Sequence, residues 1–181
     1  MEEQNAFKSN LIKYAIILGI VNVIFTLLLY ISNETLLVSL WMLPIGLLLG
    51  VVLFVVAGLG FRSANGGYAT FKNMFLYLFL VGIFSAVIAT GFGLILHKVI
   101  DPDLGGRLQQ EVVENTLSMM ENFNAPEEAI DEAIAKIESE EMFSTANILK
   151  SFYINQTIIS LILALIIGAI LKRKEKTELT S

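Results

Sequence analysis

The chain has 181 residues, 55% hydrophobic and 16% charged, with a formal net charge of -5 and a mean hydropathy of +0.72. Ordinary globular chains carry about 25% charge, and the apolar residues here collect in runs too long for a buried core helix, so the reading is one membrane domain rather than a soluble one. The chain has no cysteine, which excludes disulfides and thiolate metal sites, and no basic patch that would suit nucleic acid.

A spanning helix needs about 20 mostly apolar residues. Four segments qualify: residues 11–31, 36–61, 74–96 and 152–171. Helices are expected because open strands leave backbone groups unsatisfied in lipid. The first run is longer than the apolar region of a signal peptide and no small-residue cleavage site follows it, so it reads as a retained span. Lys13 lies near its end, where its stem can snorkel, and Asn22 lies near its middle. A short "SNET" turn leads to the second span, with Trp41 and Pro44 near its start.

In the second span Gly46 and Gly50 match the small-xxx-small spacing that lets helices approach closely, and Ala164 and Gly168 repeat it in the fourth. Packing within the bundle and contact with a second copy are both open. The segment "FRSANGGYATFKNMF" (residues 61–75) follows. It lacks the lysine and second-glycine spacing of a phosphate-binding loop. Gly66 and Gly67 instead permit the positive φ angles of a tight turn. Thr70 can cap the third span, and Tyr68 and Phe71 suit an interface.

His97, the single histidine, stands where the third span ends. With Asp101 and Asp103 it could ligate a metal; the plainer reading is an interfacial histidine beside a turn. "DPDLGGRLQQEV" places Asp101, Asp103 and Gly106 as a calcium loop would, but Gly105 replaces a ligand and Val112 stands where the bidentate glutamate belongs. No metal or cofactor is expected, and no catalytic set is found.

Residues 98–151 form an insertion with two amphipathic patterns. Val112, Val113, Leu117, Met120 and Phe123 recur at helical spacing. The next helix has Asn124 as its expected N-cap, Pro126 in its first turn, and Glu127 and Glu128 favouring its N-terminus. Ile130, Ala133, Ile134 and Ile137 make its apolar stripe. Such a pair must hide its stripes against something: each other and the span ends, or a partner held in the groove. Ser144 can cap a helix continuing into the fourth span. From Ser144 to Leu171 that helix would run about 42 Å at 1.5 Å per residue, beyond the hydrocarbon core of about 30 Å. Within the spans the polar residues include Asn22, Ser85, Thr90, Asn155, Gln156 and Ser160, expected to hydrogen-bond between helices at about 0.6 kcal/mol each.

Orientation follows from Lys and Arg near the span ends. Lys8, Lys13, Arg62, Lys72, Lys172, Arg173, Lys174 and Lys176 fall on one side if the spans alternate. The insertion between the third and fourth spans carries four basic and twelve acidic residues. Both termini, including a basic tail at 172–181, are therefore expected in the cytoplasm, with the acidic insertion outside.

The order of a four-span chain, "GGYATF" after span two, "VIDP" at the exit of span three and "MENFNAPEEAIDEAI" before span four resembles the bacterial membrane proteins grouped as domain of unknown function 4199. The resemblance covers essentially the whole chain. It implies an integral inner-membrane protein of Gram-negative bacteria and assigns no catalytic residue. A glycine often ends the first insertion helix in that family; here Asn122 to Asn124 stand in its place.

The expectation is an all-α, four-span protein with an extracytoplasmic helical hairpin, a non-enzymatic accessory or scaffold that binds another membrane or envelope protein. Val113, Leu117, Met120, Ile130, Ile134 and Ile137 are its candidate partner-binding residues. Gly46, Gly50, Ala164, Gly168, Asn22 and Gln156 are its candidate helix-packing residues. The alternatives are a small transporter or channel, or a subunit of an enzyme acting on lipid-linked substrates.

Overall fold

A computed structural model describes residues 2–173; the expected tail residues Lys174 and Lys176 lie outside them. Its helices are α1 (Glu2–Ser32), α2 (Met42–Ala64), α3 (Phe71–Ile95), α4 (Leu104–Asn122), α5 (Glu127–Ser139), α6 (Thr145–Ser151) and α7 (Thr157–Leu171). A π-helical turn, Leu96–Ile100, prolongs α3, and a second, Phe152–Gln156, fuses α6 to α7. Four stretches are long and apolar enough to cross a membrane: Phe7–Ser32, Met42–Ala64, Phe71–Ile100 and Thr145–Leu171. The all-helical, multi-pass architecture read from the sequence is therefore present.

The second spanning helix begins at Met42, not at residue 36 as expected. The Asn33 side chain accepts the Thr35 N–H at 3.1 Å and starts a separate 3₁₀ turn over Glu34–Leu37. Those residues are apolar enough to pass for span, but a capped turn uses them first.

The helix α3 is the hub, packing on α1, α2 and α7. At one end of the bundle, here the base, the chain turns from α2 into α3. Gly66 and Gly67 have φ of 67° and 88°, in the left-handed region that disfavours side chains. Thr70 Oγ1 then accepts the Asn73 N–H at 3.4 Å and caps α3. Phe61 and Tyr77 stack at 4.1 Å, with Phe7 edge-on to both. The Tyr77 hydroxyl donates to Asn10 Oδ1 at 2.5 Å, tying α3 to α1. Past the end of α7, Arg173 and Ala69 exchange both backbone hydrogen bonds, at 2.8 and 2.9 Å.

Midway up, α3 and α7 cross at Gly82, where an added Cβ would lie 2.6 Å from Ser160 Oγ and 2.9 Å from its Cβ. With no net gain from moving apolar surface out of lipid, such close backbone approach supplies the packing that holds spans together. At the opposite end a smaller core gathers buried Leu96, Leu104 and Leu108 under Tyr30, Val38 and Phe143.

From this second end α4 and α5 project. Gln109 Nε2 donates to the Ile137 and Glu140 carbonyls, both at 2.8 Å, joining the two helices. The expected cap at Asn124 is a different device. Asn124 has φ 52° and closes α4: its N–H bonds the Glu121 carbonyl and that of Ala125 bonds the Met120 carbonyl, both at 2.9 Å. This is the left-handed helix end that glycine usually makes and asparagine tolerates. Having spent its conformation there, Asn124 cannot cap α5, whose N-cap is Pro126 with no side-chain bond. Ser144 does cap α6, accepting the Asn147 N–H at 3.3 Å.

Candidate functional site

Two polar groupings occupy the end that bears α4. The first is an exposed ion network. Arg107, in the second turn of α4, donates to Glu34 Oε1 at 2.6 Å and Oε2 at 2.7 Å, and to Asp101 Oδ2 at 2.6 Å. The Tyr30 hydroxyl donates to the same Asp101 oxygen at 3.0 Å. One guanidinium thus ties the turn after α1, the exit of α3 and the start of α4. The Arg107 hydrogen bonds hold both the Glu34 and Asp101 carboxyls below their ordinary range, and the paired carboxylates raise the guanidinium in turn.

This network settles the geometry around His97. Asp101 is committed to Arg107 and Tyr30, while His97 Nδ1 donates to the Gly93 carbonyl at 2.9 Å and its ring stacks on Phe143 at 5.4 Å. His97 Nε2 is buried without a partner among the described residues. No cluster of three or more His, Asp or Glu side chains suited to a metal occurs among the described residues.

The second grouping lines clefts among the spans. One of 290 Å³ lies between α1, α2, α3 and α7, with Asn22, Ser85 and Gln156 on its walls together with Gly46 and Gly50. A second, of 380 Å³, lies between α3 and α6–α7 and is lined by Thr90, His97, Asn155 and Gln156. Gln156 borders both. It stands at the last position of the π-helical turn, a local widening of the helix that recurs at functional sites.

The expected interhelical bonds are largely replaced by bonds within one helix. Asn22 Nδ2 donates to the Leu18 carbonyl at 2.9 Å, Ser85 Oγ to the Gly82 carbonyl at 2.9 Å, and Gln156 Nε2 to Ser160 Oγ at 3.4 Å. A carbonyl one turn back is always within reach, whereas a partner helix must present the right group at the right height. The two small-residue pairs also part company. Ala164 is fully buried, and a Cβ on Gly168 would meet the Phe75 backbone at 3.4 Å. Around Gly46 a Cβ would meet nothing within 4 Å, and at Gly50 only Leu163 at 3.7 Å. The second pair therefore packs α7 on α3, and the first pair lines the open cleft. Gly82 and Ala86 have the same spacing and both are buried; that repeat was the readable signal for the α3–α7 crossing.

Of the residues named on the insertion, Val113, Leu117 and Met120 on α4 and Ile130, Ile134 and Ile137 on α5 are all half-buried. Val113 also lines a groove between the two helices, beside Gln109 and Glu138. Exposed apolar side chains stand instead at the far end of α4, with Phe123 80% exposed and Met119 41%.

The fold and its composition define a multi-pass helical membrane protein. The family model described as "Protein of unknown function (DUF4199)" matches residues 13–173, and the chain belongs to that family. No curated protein and no solved structure matches it.

Proposed function

We propose that the protein is a non-enzymatic accessory of the bacterial inner membrane, whose α4–α5 arm faces away from the cytoplasm and holds another membrane or envelope protein. The observation that carries this reading is the exposed Phe123, outside any spanning segment, at the tip of an arm whose second helix buries no residue. Exposed aromatics are the usual anchors of protein contacts. The sidedness rests on Lys8, Lys13, Arg62, Lys72, Lys172 and Arg173, which belong to the base end. A reporter fused at Asn124 is expected to be active only outside the cytoplasm. Purified gently from native membranes, the wild type is expected to carry a stoichiometric protein that Phe123→Asp loses while keeping its fold; a lone wild-type monomer would reject the reading.

A second reading, a small transporter or channel, is favoured by the gathering of Asn22, Ser85 and Gln156 on one cleft. Flux unchanged in the Asn22→Leu, Gln156→Leu double variant would remove it.

A further inference from the structure

We infer that the cleft between α1, α2, α3 and α7 is a binding site for an uncharged, single-chain amphiphile drawn from the bilayer, with a hydroxyl or amide head group at Asn22, Ser85 and Gln156 and its chain along α2. The inference depends on neither reading above. Three features choose this occupant.

The first is charge. No Asp, Glu, Lys, Arg or His is among the residues lining the cleft. A charged head group there would be buried without a counter-ion, at a cost that intramembrane sites avoid by pairing. A neutral hydroxyl or amide finds amide and hydroxyl partners instead. The second is shape. The cleft measures 290 Å³, at the lower edge of the range of about 300–1,000 Å³ typical of small-molecule sites, which fits a head group and part of one chain rather than a two-chain phospholipid. Two glycines line it on the α2 side, and a Cβ added at Gly46 would meet no other atom within 4 Å. The third is access. Leu43 and Leu47 of α2 and Ile159 of α7 line the cleft yet are 66%, 54% and 43% exposed. In a spanning bundle these exposed apolar side chains face acyl chains, so the entrance is lateral, from lipid.

The test uses a monoacylglycerol bearing a photoreactive group on its chain, incorporated into phosphatidylcholine vesicles holding the full chain. The wild type is expected to label at residues of α2 and α7 that line the cleft. Gly46→Leu fills the space and Gln156→Leu removes the head-group amide, and each is expected to lower that labelling about tenfold. Leu48→Ala, on the exposed α2 surface outside the cleft, is expected to label as the wild type. Helical content and melting temperature check that each variant is folded. Equal labelling of wild type and Gly46→Leu, or labelling spread evenly over all four spans, would overturn the inference. So would efficient competition by a charged fatty acid but not by unlabelled monoacylglycerol. The chain has no cysteine, so Gly46→Cys gives a clean second measurement. Formation of a disulfide-linked dimer there would assign the cleft to a second copy and also overturn it.

Discussion

The two ends of this bundle are built from the same apolar alphabet and hold together differently. At the base, backbones come close, rings stack and the chain after α7 is hydrogen-bonded to the turn before α3. At the other end three buried leucines and one exposed ion network carry the connection, and the clefts open there and toward mid-bundle. In lipid, burial alone gives little preference for one helix partner over another, so rigidity follows the small residues and the satisfied polar groups. The base is a frame, and the opposite half holds the open space.

The comparison breaks most readily at Gly82. Replacing it with leucine overpacks the α3–α7 crossing and is expected to cost about 1–3 kcal/mol, read as a lowered melting temperature in detergent. Gly46→Leu, at the same spacing class but facing the cleft, should melt as the wild type; equal losses in the two variants would erase the distinction. Next comes the left-handed helix end. Asn124→Ala is expected to cost about 1 kcal/mol, and Asn124→Gly nothing, measured by the same melting curves. A smaller effect is expected at the base from Tyr77→Phe, which removes the hydroxyl bonded to Asn10 and should cost about 0.6 kcal/mol.

The smallest effect should come from the ion network, and it alone should respond to solution conditions. Arg107→Gln is expected to lower the melting temperature slightly, and the difference from wild type should shrink in high salt because the pairs are exposed. Both carboxyls are lowered when folded, so their contribution is present above the ordinary values of 4.5 for Glu34 and 3.8 for Asp101. It is lost as pH falls below those values and the carboxylates protonate. A difference that persists unchanged in strong acid would assign Arg107 a packing role instead.

How much of this was legible depended on whether a signal was local. Spans announce themselves by composition, and Thr70 and Ser144 by capping chemistry next to a helix start. Leu36 looked like span because its neighbours are apolar, and only the Asn33 side chain reveals the separate turn. Asn124 has two possible services at a helix junction, and sequence alone does not choose between closing one helix and opening the next. The small-residue pairs were visible, but spacing does not tell which face meets a neighbour: Gly168 meets Phe75 and Gly46 meets open space. The cleft itself was unreadable because Asn22, Ser85 and Gln156 come from three helices, and only the assembled bundle brings them to one wall.

The backbone exchange between Ala69 and Arg173 carries a consequence for the order of assembly. The two residues are distant in sequence, so this clasp cannot close until Arg173 has been synthesised. Before α7 arrives, α2 and α3 lack one of the helices that both pack against, and the α3 surface around Gly82 lacks Ser160 as its neighbour. The helix α7 follows the first three spans in chain order and adds the packing from Ser160 down to the clasp. A chain cut short before α7 would lose the clasp and the Gly82–Ser160 crossing, while the Phe61–Tyr77 stack and the Tyr77–Asn10 bond draw only on the first three spans.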